Sequence, residues 1–266
     1  MRGNTPRIAQ IFRTVLTSWN GFNNGKYPMN TPYKISFTAC MLALLSACGG
    51  EDTSNTAEGL WRGPSSTGAY VNVAILENGE AWGDATLGNT LVSAIAGTAT
   101  GNGTLFSASG SEFVFSSNSV GTGTYTGTVT QKQRIQATSN NGSTINLAYN
   151  PYYDQGVTAA EIAGNYTLSG RTARYSLSYM TFTIGANGSF TIVDNGCTTT
   201  GTATPRASGK AIVNVTATGT GTCILGNGVS LSGIAVLDKT TTPNTLSVIA
   251  LNSTKTDGLV LLGRKN

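Results

Sequence analysis

An all-β fold, built of two small related antiparallel β-barrel or sandwich units, is what this sequence predicts, and three observations carry the expectation. The chain has 34 glycines, 39% apolar residues and only 11% charged residues, whereas a disordered chain combines low hydrophobicity with high charge. Segments of strict apolar/polar alternation recur along it, and no helical periodicity extends beyond a turn or two. Asn-Gly pairs at Asn78-Gly79, Asn141-Gly142 and Asn187-Gly188 supply the strongest short-range hairpin signal.

Taken in order, the alternating segments are AYVNVAIL (69–76), SEFVFSS (111–117), GTYTGTVT (123–130), RYSLSYMTFTI (174–184), KAIVNVTAT (210–218), SGIAVL (232–237), LSVIAL (246–251) and GLVLLG (258–263). Only TAAEIAG (158–164) suggests a short helix. An internal echo divides the chain. GLWRG at Gly59 leads through an alternating strand to ILENGEAW, and GNYTL at Gly164 leads through a longer one to TIGANGSF. Both copies place an aromatic two residues after a glycine and another just after an Asn-Gly hairpin. The units run from 58 to 155 and from 156 to 266, joined at NPYYDQGVT. Each has about six to eight strands, enough to close a small barrel and so remove edges prone to aggregation.

The first 57 residues read differently. Residues 35–47 are apolar and uncharged, follow Lys34 and end in Leu45-Ser46-Ala47-Cys48. The run is too short to span a membrane and suits the apolar region of a signal peptide. Its end resembles the lipobox of bacterial lipoproteins, in which a cysteine after two small residues is lipidated and becomes the first residue after cleavage by signal peptidase II. That resemblance implies a signal peptide at 29–47, cleavage between Ala47 and Cys48, a lipid on Cys48 and a flexible tether over 48–57. Gly49 in place of Asp implies export to the outer membrane. An ordinary signal peptide cut near Ala47, or a buried helix with a core cysteine, is the competing reading. Residues 1–28, with Arg2, Arg7, Arg13 and Lys26, are a start-site artefact ahead of Met29 or an extended leader. One acyl chain anchors only marginally, at about 0.8 kcal/mol per buried methylene, but the diacylglyceryl and N-acyl groups implied by the family anchor durably.

Charge excludes one class of partner. Five of the 16 basic residues precede Cys48 and all 12 acidic residues follow it, leaving 11 basic against 12 acidic downstream. Nucleic-acid binding needs clustered Lys and Arg, so none is expected. Cysteine usage agrees with export. Cys40 and Cys48 belong to the leader and its junction, and the remaining pair, Cys197 and Cys223, is expected to form a disulfide. The loop it closes is worth about 3 kcal/mol in the chain-entropy model. No metal or cofactor is expected, because the chain has no histidine and these two thiols lack a C-x-x-C partner.

Catalysis is not expected either. A serine nucleophile has no histidine base, and Glu77, Glu80, Asp84 and Glu112 read as solvated turn or strand acids rather than as a glycosidase pair. GTGTYTGT and GNG lack the Lys-Ser/Thr and helix of a phosphate loop. Strand faces rich in Asn, Ser and Thr argue against a transmembrane barrel. Tyr149, Tyr152 and Tyr153 cluster at the join, where aromatics either stack on a glycan or protein ligand or pack the two units together. Gly59-Leu60-Trp61 is similar to the Gly-x-Trp that opens the first strand of lipocalins, and that resemblance implies a cation, Arg264, on the indole.

These readings combine into an outer-membrane-anchored lipoprotein whose β-rich part is a structural or binding module with an unknown protein or glycan ligand. As small β-barrels behind a lipobox and a polar tether, it is similar to surface lipoproteins of the transferrin-binding protein B kind, without a shared motif that assigns a ligand. The competing expectation is a lipocalin-like carrier of a small apolar molecule. A roomy apolar interior separates the carrier from the module with filled barrels.

Overall fold

A computed structural model describes residues 54–266. The expected leader at 1–28, the expected signal segment at 29–47 with Ala47, the expected lipid-attachment residue Cys48 and the first part of the expected tether lie outside the described residues.

Eight strands form the first barrel: β1 (Gly59–Pro64), β2 (Tyr70–Ile75), β3 (Glu80–Leu87), β4 (Thr90–Asn102), β5 (Leu105–Val114), β6 (Ser119–Thr130), β7 (Arg134–Ser139) and β8 (Thr144–Asn150). Each pairs antiparallel with the next, and β1 closes on β8 from Leu60↔Asn150 to Arg62↔Ala148. The second barrel repeats the plan with β9 (Gly164–Arg171), β10 (Ser176–Ile184), β11 (Ser189–Asp194), β12 (Cys197–Pro205), β13 (Val213–Gly221), β14 (Ser230–Asp238), β15 (Thr245–Leu251) and β16 (Gly258–Lys265). It closes where β16 lies along β9, from Val260↔Arg171 to Lys265↔Tyr166.

The expected choice between barrel and sandwich resolves as two barrels, because the last strand of each unit finds the first. Period-2 side chains then point into each lumen. In the first barrel these include Trp61, Ile75, Phe106, Val129, Ile135 and Leu147. In the second they include Tyr166, Leu168, Ile184, Leu237, Leu246 and Leu261.

The two units are related down to individual hydrogen bonds. Trp61 Nε1 donates to the carbonyl of Ala57 at 2.8 Å, and Tyr166 Oη donates to that of Ile162 at the same distance, each reaching back four residues. Gly59 (φ 153°) and Gly164 (φ 140°) precede these aromatics in a backbone region unfavourable to other residues. A Cβ at Gly59 would lie 2.5 Å from the Tyr149 ring. Asn78 Oδ1 accepts from Glu80 N at 3.1 Å, and Asn187 Oδ1 from Ser189 N at 3.0 Å, so both hairpins close alike.

Between the barrels the chain makes a 3₁₀ turn (Pro151–Gln155) and a one-turn helix, α1 (Ala159–Ile162). Asn150 caps the first by accepting from Tyr152 N. Thr158 and Glu161 form a reciprocal capping box on the second. That helix is the short one predicted at 158–164.

The outer faces of the barrels are apolar where they meet. Leu60, Ala74, Trp82, Ala94, Ala96 and Phe113 point outward from β1 to β5, and Ile234, Ile249, Leu251 and Val260 point outward from β14 to β16. Together with Phe115, Tyr152, Tyr153 and Ile212 they form one buried cluster. Fully burying a large apolar side chain contributes about 1.5–3 kcal/mol, so this cluster joins the barrels strongly. Four cations of the second half lie over aromatic rings of the first unit and the join: Arg171 over Phe115, Lys210 over Tyr153, Lys239 over Tyr152 and Lys255 over Trp82, at 5.2–5.8 Å. Arg206 also meets Glu77 at 2.8 Å across the interface.

The expected disulfide is present: Cys197 at the start of β12 is bonded to Cys223 just after β13, with Cα atoms 4.6 Å apart. A Cβ at Gly219 would lie 2.9 Å from the Cys223 sulfur, so the bridge packs against bare backbone.

Two outcomes test this architecture. The wild-type protein is expected to melt in one transition by calorimetry, and Ile249→Asp, which places a charge in the interface, is expected to split it in two. Replacing both Cys197 and Cys223 by Ala is expected to cost about 3 kcal/mol in chain entropy, read as a lower Tm, and dithiothreitol should produce the same drop in the wild type only.

Candidate functional site

A cleft of about 270 Å³ lies between the barrels. On the outer face of the first, Arg62, Asn72 and Asp84 stand directly opposite one another on β1, β2 and β3. They share the face of Leu60, Ala74 and Trp82, so the same alternation that makes the interface also carries a polar row into it. Asn72 Nδ2 donates to Asp84 Oδ1 at 3.0 Å. Arg62 reaches across to Asp238 on β14, with Nη2 3.5 Å from Oδ2. These four residues, with Thr86, Thr245 and Ser247, supply the polar wall of the cleft, whose apolar wall includes Leu60, Trp82, Ile234 and Ile249.

The two carboxylates differ in environment. Asp84 is 6% exposed and is the one charged side chain among the buried described residues. Burial raises its pKa above the ordinary 3.8, against the opposing pull of the Asn72 hydrogen bond and the Arg62 charge. Asp238 is also penalised by burial, but hydrogen bonds from the hydroxyl and amide of Thr240, together with Arg62, prevail and lower its pKa. A guanidinium, an amide, two carboxyls and three hydroxyls in an apolar frame can hold a small polar molecule by several directed hydrogen bonds.

The join is occupied by the three tyrosines, and of the two roles expected for them the structure gives Tyr152 and Tyr153 that of packing the units together. Tyr152 and Tyr153 are 2% and 1% exposed, so their rings pack the barrels together. Tyr153 Oη donates to Glu58 Oε1 at 2.9 Å, and the Tyr153 carbonyl accepts from Ala211 N. Tyr149 is half-buried and meets the Trp61 indole edge-on at 5.2 Å. Its hydroxyl donates to Asp154. Asp154 also accepts from Lys132 of the first barrel and Lys210 of the second. Burial opposes its charge, yet these hydrogen bonds hold its carboxyl down at about 2.

Arg264 also differs from expectation. It lies on β16 of the second barrel, opposite Thr167 and Thr245, and Tyr149 rather than a cation covers Trp61. Of the acids noted in the sequence only Asp84 lines the cleft. Glu77 pairs with Arg206, Glu80 accepts from Trp82 Nε1 at 3.5 Å, and Glu112 accepts from Ser93 Oγ at 2.6 Å. Sequence reasoning missed Arg62, Asn72 and Asp238. Their signal is a polar residue at an alternate position among apolar ones, which is also the signature of an ordinary solvated face.

A second pocket, about 180 Å³ and largely apolar, opens at the disulfide end of the second barrel. A narrow apolar cavity of about 50 Å³ adjoins it in the lumen. Comparison of the chain with protein-family models, with curated proteins and with solved structures finds no match.

Because the folded state binds the Asp84 proton more readily than the unfolded chain, this group contributes stability below about pH 3.8 and loses it as pH rises through its folded pKa. Asp84→Asn is therefore expected to raise Tm at pH 7.5, at roughly 2–4 °C for each kcal/mol in a chain of this size, with the advantage gone at pH 3.5. Thermal melts at the two pH values check the difference.

Proposed function

We propose that the chain is a lipoprotein of the bacterial outer membrane, held through a lipid on Cys48, that presents its two barrels as a non-catalytic binding or structural module at the cell envelope. The observation that supports a binding role is the cleft between the barrels. It joins apolar walls to Arg62, Asn72, Asp84 and Asp238, while the first lumen is filled by Trp61, Phe106, Ile135 and their neighbours. The cleft fits a small polar ligand such as a sugar unit of a glycan, or a polar side chain of a protein partner. Against catalysis, Asp238 is occupied by Thr240 and Arg62, and Asp84 is nearly closed to solvent. The downstream balance of 11 basic and 12 acidic residues supports a partner other than nucleic acid.

The anchor rests on the lipobox-like Leu45-Ser46-Ala47-Cys48, and the Cys197–Cys223 bridge suits an oxidising compartment. A second reading, a lipocalin-like carrier of a small apolar molecule, is favoured by the apolar pocket of the second barrel.

Cells fed radiolabelled palmitate are expected to label the wild-type chain and not Cys48→Ala. Protease shaving of intact cells then reports whether the barrels face outward. A wild-type chain without label, recovered in the aqueous fraction, overturns the anchor.

A further inference from the structure

The second barrel is not closed evenly. Its neighbouring strands pair over six to nine residues along the rest of the circumference, as in the nine pairs of β12 with β13, but β10 and β11 share the single pair Ile184↔Phe190. Beyond it the two strands run toward the disulfide end without a ladder between them, and residues from both, Leu177 and Met180 on one side and Ile192 and Asp194 on the other, line the same 180 Å³ pocket. The opposite wall is the segment after β13, with Leu225 and Val229, tied to β12 through Cys197–Cys223. Ile192, Thr199, Ala217 and Leu259 line both this pocket and the narrower one in the lumen, so the two adjoin.

The rim is unusually greasy. Tyr179 (83% exposed) and Val193 (73%) are the two most exposed large hydrophobic residues described, and they flank the gap on β10 and β11. Tyr179 sits at φ 56°, at a register shift in the pairing of β10 with β9 that turns its ring outward from the barrel wall. Ile224, half-exposed, adds to the disulfide-tied wall. Among the described residues, Asp194 is the one ionisable group that lines the pocket apart from the bonded cysteines, and no Lys or Arg lines it.

We propose that this gap is the mouth of a binding site for a slender, uncharged apolar molecule, a single alkyl or isoprenoid-like chain that enters between β10 and β11 and points its tail toward Ala217. Size, lining and charge agree on this class. A dry apolar cavity of about 150 Å³ takes up benzene, so a pocket of about 180 Å³ accommodates a single slender chain and not a fused, multi-ring system. A carboxylate headgroup would face Asp194 with no cation to offset it, which selects against free fatty acids. The inference rests on the carrier reading of the second barrel and is independent of the lipid on Cys48.

The test uses the full chain carrying Cys48→Ala in detergent-free buffer at pH 7.5, titrated with the neutral, linear polyene alcohol parinarol, a slender probe whose fluorescence rises in apolar surroundings. The expected result is saturable fluorescence with one site per chain. Decanol is expected to displace the probe at concentrations at least tenfold lower than decanoate, and Asp194→Asn is expected to narrow that gap. Val229→Trp, which fills the pocket from a partly exposed position on the wall opposite the gap, is expected to weaken probe binding at least tenfold with an unchanged melting curve. Absence of saturable binding overturns the carrier reading together with the inference. Binding that survives Val229→Trp in a folded protein places the probe elsewhere and also overturns it. Equal displacement by decanoate and decanol leaves a carrier standing but overturns the uncharged ligand class.

Discussion

The apolar contact between the outer faces of the two barrels is the constraint on which the rest of the structure depends. An eight-stranded barrel satisfies its backbone and fills its lumen alone, and its outside can then be wholly polar. Here the outside of β1 to β5 carries Leu60, Trp82, Ala94, Ala96 and Phe113 in one patch, and exposure of so large a patch would be costly. The second barrel covers it with Ile234, Ile249, Leu251 and Val260. Everything at the interface follows from that need: the buried tyrosines of the join, the cations laid over aromatic rings, and the cleft where the two curved surfaces part.

Two convex walls cannot touch over their whole length, so a cleft between them is a geometric consequence of the packing. What makes this one chemically distinct is the row of Arg62, Asn72 and Asp84, held in register by the β1, β2 and β3 ladders and answered by Asp238 from the other barrel. Rigid strands fix these groups more firmly than loops would. The duplicated barrels have meanwhile diverged in use. The first is closed by ladders and plugged by Trp61 and Tyr149. The second keeps a gap between β10 and β11 and a largely apolar pocket behind it. One plan thus offers a polar recess outside and an apolar one inside.

Much of the fold was legible because alternation reports a strand with one dry face. AYVNVAIL, SGIAVL, LSVIAL and GLVLLG became β2, β14, β15 and β16, and the Asn-Gly pairs at 78 and 187 close equivalent hairpins. The longest strand, β4, was missed. Its sequence TLVSAIAGTATGN hides the period because Ala94 and Ala96 on one side meet the second barrel while Ala99 on the other faces the lumen. Strands buried on both faces lose the contrast on which such readings rest. The tyrosines at the join were noticed for their clustering, but whether clustered aromatics face a ligand or a neighbouring barrel depends on what folds over them.

By itself the sequence determined the strand class, the duplication, the pairing of Cys197 with Cys223 and the chemical inventory without histidine, since each depends on residue type and short-range spacing. Tertiary structure alone decided that the strands close into barrels, that Asp84 is desolvated beside Asn72, that Asp238 lies across from Arg62, and that β10 parts from β11. Those outcomes bring together residues as distant as 62 and 238. Contacts at that separation are set by how whole surfaces curve and pack, a property that no local pattern of side chains records.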